Sequence, residues 1–596
     1  MATQQSVLSK ATKQITVIGL TIGMTASFAL GVAFLGLLSK GLGDVTLPPI
    51  NCPELSMGRI AAATDYVGEL HQMILDAQAT GCIVRKATSQ GVMNIVQTED
   101  FKTGVQYQTF TQQSDTGSQI HVHLAHQDFF DVVPGASYNL SGIALDANNI
   151  LVDSFGGAQT SIALDETKNV PYKEPVIGDQ KFAVLLTYYN DAPQPDISTS
   201  TIESLLDDTN NFYQENSYAK MRFVGVEHPD QPYDMFGWAQ ANATNCGTTS
   251  HVTLLNAAMA AFDLQVDFTQ YDRILIVHPH TCRSESEVGK RLHETPDGDA
   301  TFSASWIGVY SDWVDQGYTR FGIMHELGHA LGLKHAHAYA CNINTVPILE
   351  CTQGFNGQPY NEYEDYYDTM GYYISYNNAK YKDWLGWLDS SNVQTVTENG
   401  TFVLEPIETA ASGLKVLIIP RTGNQRLYVE YREDIGWDQN GVPHGFVTGN
   451  TPMGALLHVD FTWNVIEFSK SMIFDPGGSA TGYELHPALE KDEVFIDPVS
   501  GTKITTLDVV RDEENPANSR LTVQVEFQSC SDGTLYGQCQ GTSLYYCDEG
   551  ALVKDCSKCG SCPSGRVCDS STGQCLCAVN CYAHPDDPCC PDVEDR

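Results

Sequence analysis

Positive charge is scarce in this chain. Lysine and arginine number 33 against 73 aspartates and glutamates, a formal net charge of -40. That balance argues against binding nucleic acid or anionic lipid through a basic face. An EF-hand loop is also missing. A solvated acidic surface is the first account of the carboxylates; calcium (Ca2+) held by some of them, or adaptation to salt, stays open. Charge of either sign is absent from Ile15 to Leu38, a run of 24 residues that ends before Lys40. A cleaved signal usually has an apolar region of about 7 to 15 residues and a small-residue cleavage site. This run is long enough to cross a bilayer, and Ser27-Phe28-Ala29 is a poor cleavage site in mid-run. Residues 1–46 therefore read as a signal-anchor with the amino terminus in the cytoplasm. A cleaved signal is the alternative. The chain meets the membrane through residues 15–38 if that segment is kept.

Cysteine is not scarce. Six cysteines precede residue 400 (Cys52, Cys82, Cys246, Cys282, Cys341 and Cys351), and twelve crowd between Cys530 and Cys590. Even counts in an exported chain imply disulfides; neighbour pairing would join Cys52 to Cys82, Cys246 to Cys282 and Cys341 to Cys351. Residues 529–596 have too few apolar residues for a core and read as a disulfide-stapled module. Cys556-x-x-Cys559 and Cys559-x-x-Cys562 have zinc-site spacing, but without a nearby histidine disulfides are favoured. Asn139, Asn242 and Asn399 lie in N-x-S/T sequons.

At 596 residues the chain exceeds one core. Residues 47–170 begin with an expected helix around Met57 to Ala79 and continue as short alternating segments, which suggests a small β-barrel or sandwich. His121 and His123 alternate on one such segment as solvent-facing strand histidines. Pro171 and Pro175 mark a linker. From 175 to 395 strands alternate with helices: Lys181–Tyr189 is an apolar strand, Ser200 and Glu203 form a capping box for a helix to about Glu215, and Met221–Val226 is a second strand. Val252–Leu264 is helical, while Arg273–His278 and Ser303–Tyr310 are strands, so this is an α/β domain. Residues 396–528 lose helical periodicity and read as a β-sandwich-like domain.

The chemistry concentrates in FGIMHELGHALGLKHAH, Phe321 to His337. Residues i and i+4 share a helix face, so His325 and His329 can point two imidazoles at one ion. Gly332 can take a backbone conformation closed to other residues, ending the helix and returning His335 as a third ligand. Three histidines suit zinc (Zn2+), with one tetrahedral position left for water or a substrate carbonyl, and Glu326 is placed as general base. Met324, Leu327 and Leu331 would make the same helix an ordinary amphipathic one. The full eleven-residue pattern, however, arises by accident in roughly one such chain per ten thousand.

H-E-x-x-H-x-x-G-x-x-H followed by Asp368-Thr369-Met370-Gly371 resembles the metzincin metallopeptidases, in which a downstream methionine turns beneath the metal. The resemblance makes Met370 the Met-turn residue. It makes Tyr372, two residues on, a candidate to stabilise the oxyanion. KFAVLLTYYND, NNFYQENSYAKMRFVGV, YDRILIVHPH, MGYY and YNNAKYKDWLGWL are most similar to the gametolysin-like group. That likeness is good from about 180 to 390 and weaker to about 530. It implies a secreted or surface endopeptidase acting on extracellular protein, with residues 47–170 as a propeptide, and Trp306–Val309 as the sheet edge that pairs with extended substrate. Cys82 could then be an inhibitory thiolate on the metal, or half of a disulfide with Cys52. The tail segment CSKCGSCPSGRVCDSSTGQC resembles short cysteine-rich repeats of microbial surface proteins, and names no partner for it.

The expectation is thus a multidomain chain: an α/β metzincin-type catalytic domain flanked by β-rich domains, with a disulfide-rich C-terminal module. Its expected function is zinc-dependent hydrolysis of peptide bonds in extracellular or cell-surface proteins, after removal of the propeptide near 165–180 if it is a zymogen. The competing class is a surface binding or adhesion protein with a catalytically silent peptidase fold.

Overall fold

A computed structural model describes residues 73, 86–100, 105–113, 119–125, 136–145, 148–153, 161–164, 175–247, 249–311, 314, 317–339, 363, 365–371, 373–410, 413–421, 426–438, 453–460, 471–474, 488–497, 500–532, 534, 539, 545–548, 551–555, 559, 566–569 and 574–577. The run Ile15–Leu38, Cys52, Cys82, Cys341, Cys351 and Tyr372 lie outside these residues. So does the expected helix Met57–Ala79, apart from Met73, which is helical. Among the described residues no helix is long and apolar enough to cross a membrane. The described chain is mostly strand with few helices. It packs as two units, the first made of residues up to Val96 with Gln108–Pro171, the second of Gln97–Tyr107 with Tyr172–Arg596.

The first unit is built from β1 (Lys86–Asp100, whose last residues belong to the second unit), β2 (Val105–Gln113), β3 (Gln119–Ala125), β4 (Ser137–Ala144), β5 (Asn149–Asp153) and β6 (Ser161–Leu164). β4 lies antiparallel between β1 and β6. On β3 the period of two sorts the side chains: Ile120, Val122 and Leu124 are buried, and His121 and His123 turn the other way. His121 is exposed as expected, while His123 is half-buried with Nε2 3.0 Å from Asn149 Oδ1.

In the second unit β7 (Gly178–Tyr189), α1 (Thr199–Asn216), β8 (Met221–Val224), β9 (Asp234–Ala241), α2 (His251–Phe262), β10 (Arg273–Pro279), β11 (Ser284–Glu287), β12 (Arg291–Thr295), β13 (Gly298–Val309) and α3 (Tyr318–Ala330) follow in order. The strands lie in the order β8-β7-β10-β13-β11. The first four are parallel and β11 is antiparallel to β13. The apolar runs of β7 and β10 are buried on both faces, as strands inside a parallel sheet must be. Val184, Leu186, Leu275 and Val277 face a core shared with α1 and α3. Their neighbours Ala183, Leu185, Ile274 and Ile276 face one shared with α2. Each fully buried Ile, Leu or Met on α3 contributes about 1.5–3 kcal/mol, so Ile323, Met324 and Leu327 fix the helix to the sheet. Arg273 holds its far end, donating to the carbonyl of Ala330, an orphan acceptor of the last turn. Cys246 and Cys282 are joined, tying the loop before α2 to the end of β10.

Two expectations are corrected here. Trp306 is not on a sheet edge: it pairs with Ile276 of β10 on one side and Glu285 of β11 on the other. An apolar run signals burial on both faces, which suits an interior strand, and the short polar β11 lies beyond it. The cap of α1 is Ser198, whose hydroxyl accepts from the amide of Thr201, and not Ser200. Four serines and threonines in a row, Ser198 to Thr201, offer several cap frames, and spacing alone does not decide between them.

The rest of this unit contains β14 (Ala336–Tyr339), α4 (Ala379–Trp384), β15 (Val393–Thr395), β16 (Gly400–Leu404), β17 (Val416–Pro420), β18 (Arg426–Glu430), β19 (Ala455–Asp460), β20 (Ser471–Phe474), β21 (Ala488–Leu489), β22 (Val494–Ile496), β23 (Lys503–Val510) and β24 (Arg520–Glu526). One sheet runs β14-β20-β19-β18-β17-β15, another β16-β24-β23-β22. Leu417, Val429 and Leu457 of the first share one core with Phe495, Ile504 and Val523 of the second. β14 follows His335 directly, so the ligand turn ends as a strand of the first sheet, with Ala336 opposite Ser471. In the tail, Tyr545–Asp548 pairs with Ala551–Lys554 and Arg566–Asp569 with Gln574–Cys577, and disulfides join Cys530 to Cys547 and Cys539 to Cys559. Cys559, shared by both C-x-x-C pairs, is therefore bonded to sulfur.

Candidate metal centre

The helix α3 carries His325 and His329 one turn apart, and both are fully buried. It ends where the motif predicts. Gly332 has φ +103° and its amide donates to the carbonyl of His329 at 2.7 Å, so the chain reverses and buries His335 beside the other two. One ligand nitrogen from each of His325, His329 and His335 can be chosen so that all three lie within 4.8 Å of one another.

The backbone orients the rings. Nδ1 of His325 is 2.7 Å from the carbonyl of Thr369, and Nδ1 of His329 is 2.8 Å from that of Leu333. A carbonyl only accepts, so each Nδ1 carries a proton, which leaves Nε2 as the nitrogen that can present a lone pair. Nε2 of His329 and of His335 face each other at 3.2 Å. Nitrogens at zinc–nitrogen bonds of about 2.0–2.1 Å in a tetrahedron stand at about that separation. The donor set and its orientation fit zinc. The turn of His335 is pinned from α4, where the Tyr381 hydroxyl lies 2.8 Å from the carbonyl of Lys334 and 2.7 Å from that of His335.

Met370 is fully buried, and its backbone carbonyl accepts from the amide of Ala336 at 2.9 Å. Its thioether lies against Gly328, where a Cβ would collide with the sulfur. Glu326, next to His325, is also fully buried, and its backbone carbonyl lies 3.4 Å from the Ser305 hydroxyl. Tyr372 is outside the described residues. A tyrosine the motif does not include lies at the centre: the Tyr363 ring is 4.1 Å from that of His335 and 5.8 Å from that of His325, with φ +63°.

Sequence reasoning also missed the polar cluster that holds the turn around Met370. Asp368 accepts from the amides of Met370 and Asn378, both at 2.7 Å. Asp365 lies 3.0 Å from Nε2 of His458 on β19. Arg432, just past β18 and buried completely, bonds Glu430 at 2.7 Å, Asp438 at 3.1 Å and the carbonyl of Tyr376 at 3.0 Å. Burial and neighbouring Asp365 push Asp368 up to about 7. Burial pulls His458 down, but Glu430 and Asp365 outweigh it and hold the imidazole above its ordinary value. Buried Asn and Asp residues spread along a sequence carry no periodic signal, so nothing in the chain's pattern pointed to them.

Gly371 closes the turn so tightly that a Cβ there would overlap the carbonyl oxygen of Asp365. Gly371→Ala is expected to destabilise the protein by about 1–3 kcal/mol, the usual cost of overpacking. The check is the midpoint of chemical denaturation, with zinc retention after dialysis falling in parallel.

Cys246, His278 and Cys282 also converge. The two sulfurs are bonded to each other and are not thiolate ligands. Among the described residues no cluster of carboxylates converges as tightly.

No family model matches the chain, and no curated protein matches it. Among solved structures it is similar to a catalytically inactive form of OgpA from Akkermansia muciniphila in complex with an O-glycopeptide (glycodrosocin) substrate. The identity is 12%, the match covers 57% of this chain and 90% of that one, and the TM-score is 0.22. A likeness this distant carries no argument about activity.

Proposed function

We propose that the chain is a zinc-dependent endopeptidase of metzincin type, acting on extracellular or cell-surface proteins. The observation that carries this reading is the convergence of three buried histidines, each from its motif position, with Glu326 on the same helix and Met370 buried against that helix at Gly328. The sheet, with β8, β9, β7, β10 and β13 parallel, β11 antiparallel beside β13, and the histidine helix packed against it, supports it.

His325, His329 and His335 would hold the metal through Nε2, with the carbonyls of Thr369 and Leu333 keeping the first two in that tautomer. When bound, zinc supplies Lewis acidity that makes water more acidic and polarises a carbonyl. Glu326 takes the proton as water attacks the scissile carbonyl and hands it to the leaving amine. Burial keeps bulk water from competing for that proton.

The test uses the full chain. One zinc per chain, with casein hydrolysis lost on treatment with a chelator and restored by added Zn2+, is the expected result. Zinc that can be stripped without loss of hydrolysis would overturn the reading, as would a chain that takes up none.

A further inference from the structure

A second group of metal-ligating side chains lies on the face of the parallel sheet away from the histidine helix. Along β10 the period of two turns Leu275 and Val277 toward α1 and α3, and Ile274 and Ile276 toward α2. His278 follows in the second set, at the end of the strand. Cys246, before α2, and Cys282, just past β10, belong to the core on that same face. One ligand atom from each of Cys246, His278 and Cys282 lies within 4.8 Å of the others, and all three residues are buried. This group shares no residue with His325, His329 and His335.

His278 is the odd member of the three. It follows the apolar run Ile274–Val277, is fully buried, and has no hydrogen-bond partner on either ring nitrogen. The Tyr189 ring stands edge-on to it at 6.0 Å. Burial pulls the imidazole down to about 3, against a smaller opposite pull from the backbone of Arg283, so the ring stays neutral and keeps a lone pair. A buried polar group without a partner is costly, and binding a metal ion would put that lone pair to use. While Cys246 and Cys282 are bonded to each other, neither sulfur can join it. We propose that Cys246, Cys282 and His278 are a redox-gated metal site, closed as a disulfide and opened by reduction to a thiophilic divalent cation of the zinc class.

The step balances with a dithiol as reductant. The dithiol gives up two electrons and two protons and closes to its own disulfide, leaving Cys246 and Cys282 as thiols. Zn2+ then displaces both thiol protons to solvent and binds two thiolates and the His278 lone pair, with the fourth position left for water. The ion and two thiolates sum to zero charge, which suits a buried site. The sulfurs must part from bonding distance to about 3.7 Å, the separation set by two zinc–sulfur bonds of about 2.3 Å in a tetrahedron. Both cysteines lie in turns outside the strands and helices, so loops and not the sheet take up that shift. The ion would also close the same 36-residue separation that the disulfide closes, and reduction exchanges one cross-link for another.

The experiment uses the full chain, oxidised or reduced with a phosphine, and Zn2+ as the probe. Zinc per chain is counted in the parent and in Cys246→Ser combined with Cys282→Ser, so that zinc at the three histidines or in the tail cancels. Iodoacetamide labelling of Cys246 and Cys282 is followed residue by residue by peptide mass spectrometry. One more zinc in the reduced parent than in the reduced double variant, equal zinc in their oxidised forms, and labelling of both cysteines slowed at least about tenfold by excess Zn2+ support the proposal. His278→Leu should keep the disulfide when oxidised and lose most of that protection when reduced. Equal zinc in the two reduced proteins overturns the proposal, as does protection undiminished in His278→Leu. A Cys246–Cys282 pair that stays bonded under conditions that open Cys530–Cys547 overturns it as well. Should the double variant not fold, labelling of the parent and of His278→Leu decides, protection that needs His278 supporting and its absence overturning.

Discussion

Glu326→Gln is expected to lower kcat about a thousandfold while leaving one zinc bound per chain. The substitution keeps the size and removes only basicity, and general acid–base catalysis is worth about 10²–10⁴-fold. Glu326 contributes no nitrogen to the cluster of His325, His329 and His335, so metal content should not change. His335→Ala makes the contrast: it should lose metal and hydrolysis together. Zinc analysis and single-turnover kinetics on the two variants separate the roles. A Glu326→Gln protein that still turns over at the parent rate would remove Glu326 as the base.

The second large effect is on stability. Arg432→Met is expected to cost about 3–5 kcal/mol, because Glu430 and Asp438 would stay buried without their common partner. In a unit of this size that is a fall in Tm of about 3–6 °C. Glu430→Gln introduced together with Arg432→Met should recover part of the loss, since it removes one of the stranded charges. Calorimetry on the two single variants and the double variant gives the answer. If Arg432→Met melts with the parent, Arg432 does not hold the turn that carries Ser375 and Tyr376.

Much of the histidine cluster was legible in the sequence because its parts are local. His325, Glu326, His329, Gly332 and His335 lie within eleven residues, and helical spacing with one glycine reversal is enough to bring the histidines together. The strands of the second unit were legible for a similar reason, since apolar runs such as RILIVHP and LKVLIIP mark burial without reference to a partner. What was not legible depends on partners far along the chain. The Thr369 carbonyl that sets the tautomer of His325 is an ordinary backbone group. Tyr381, which pins His335, looks like one aromatic among many, and His458 meets Asp365 only through the fold. The misplaced edge at Trp306 has the same origin: hydrophobicity reports how deeply a strand is buried but not which strand lies beside it.

The pairing of β14 with β20 also bears on when the third histidine of the cluster is fixed during synthesis. The helix with His325 and His329 can form as soon as it has been made, from contacts close in sequence. His335 leads straight into Ala336–Tyr339, and the strand that anchors this segment, Ser471–Phe474, is translated far later. Closing so long a loop is slow compared with helix formation. A nascent chain therefore carries an incomplete histidine cluster until most of its length has emerged. A chain that breaks off before β20 would carry the motif intact and the centre unmade.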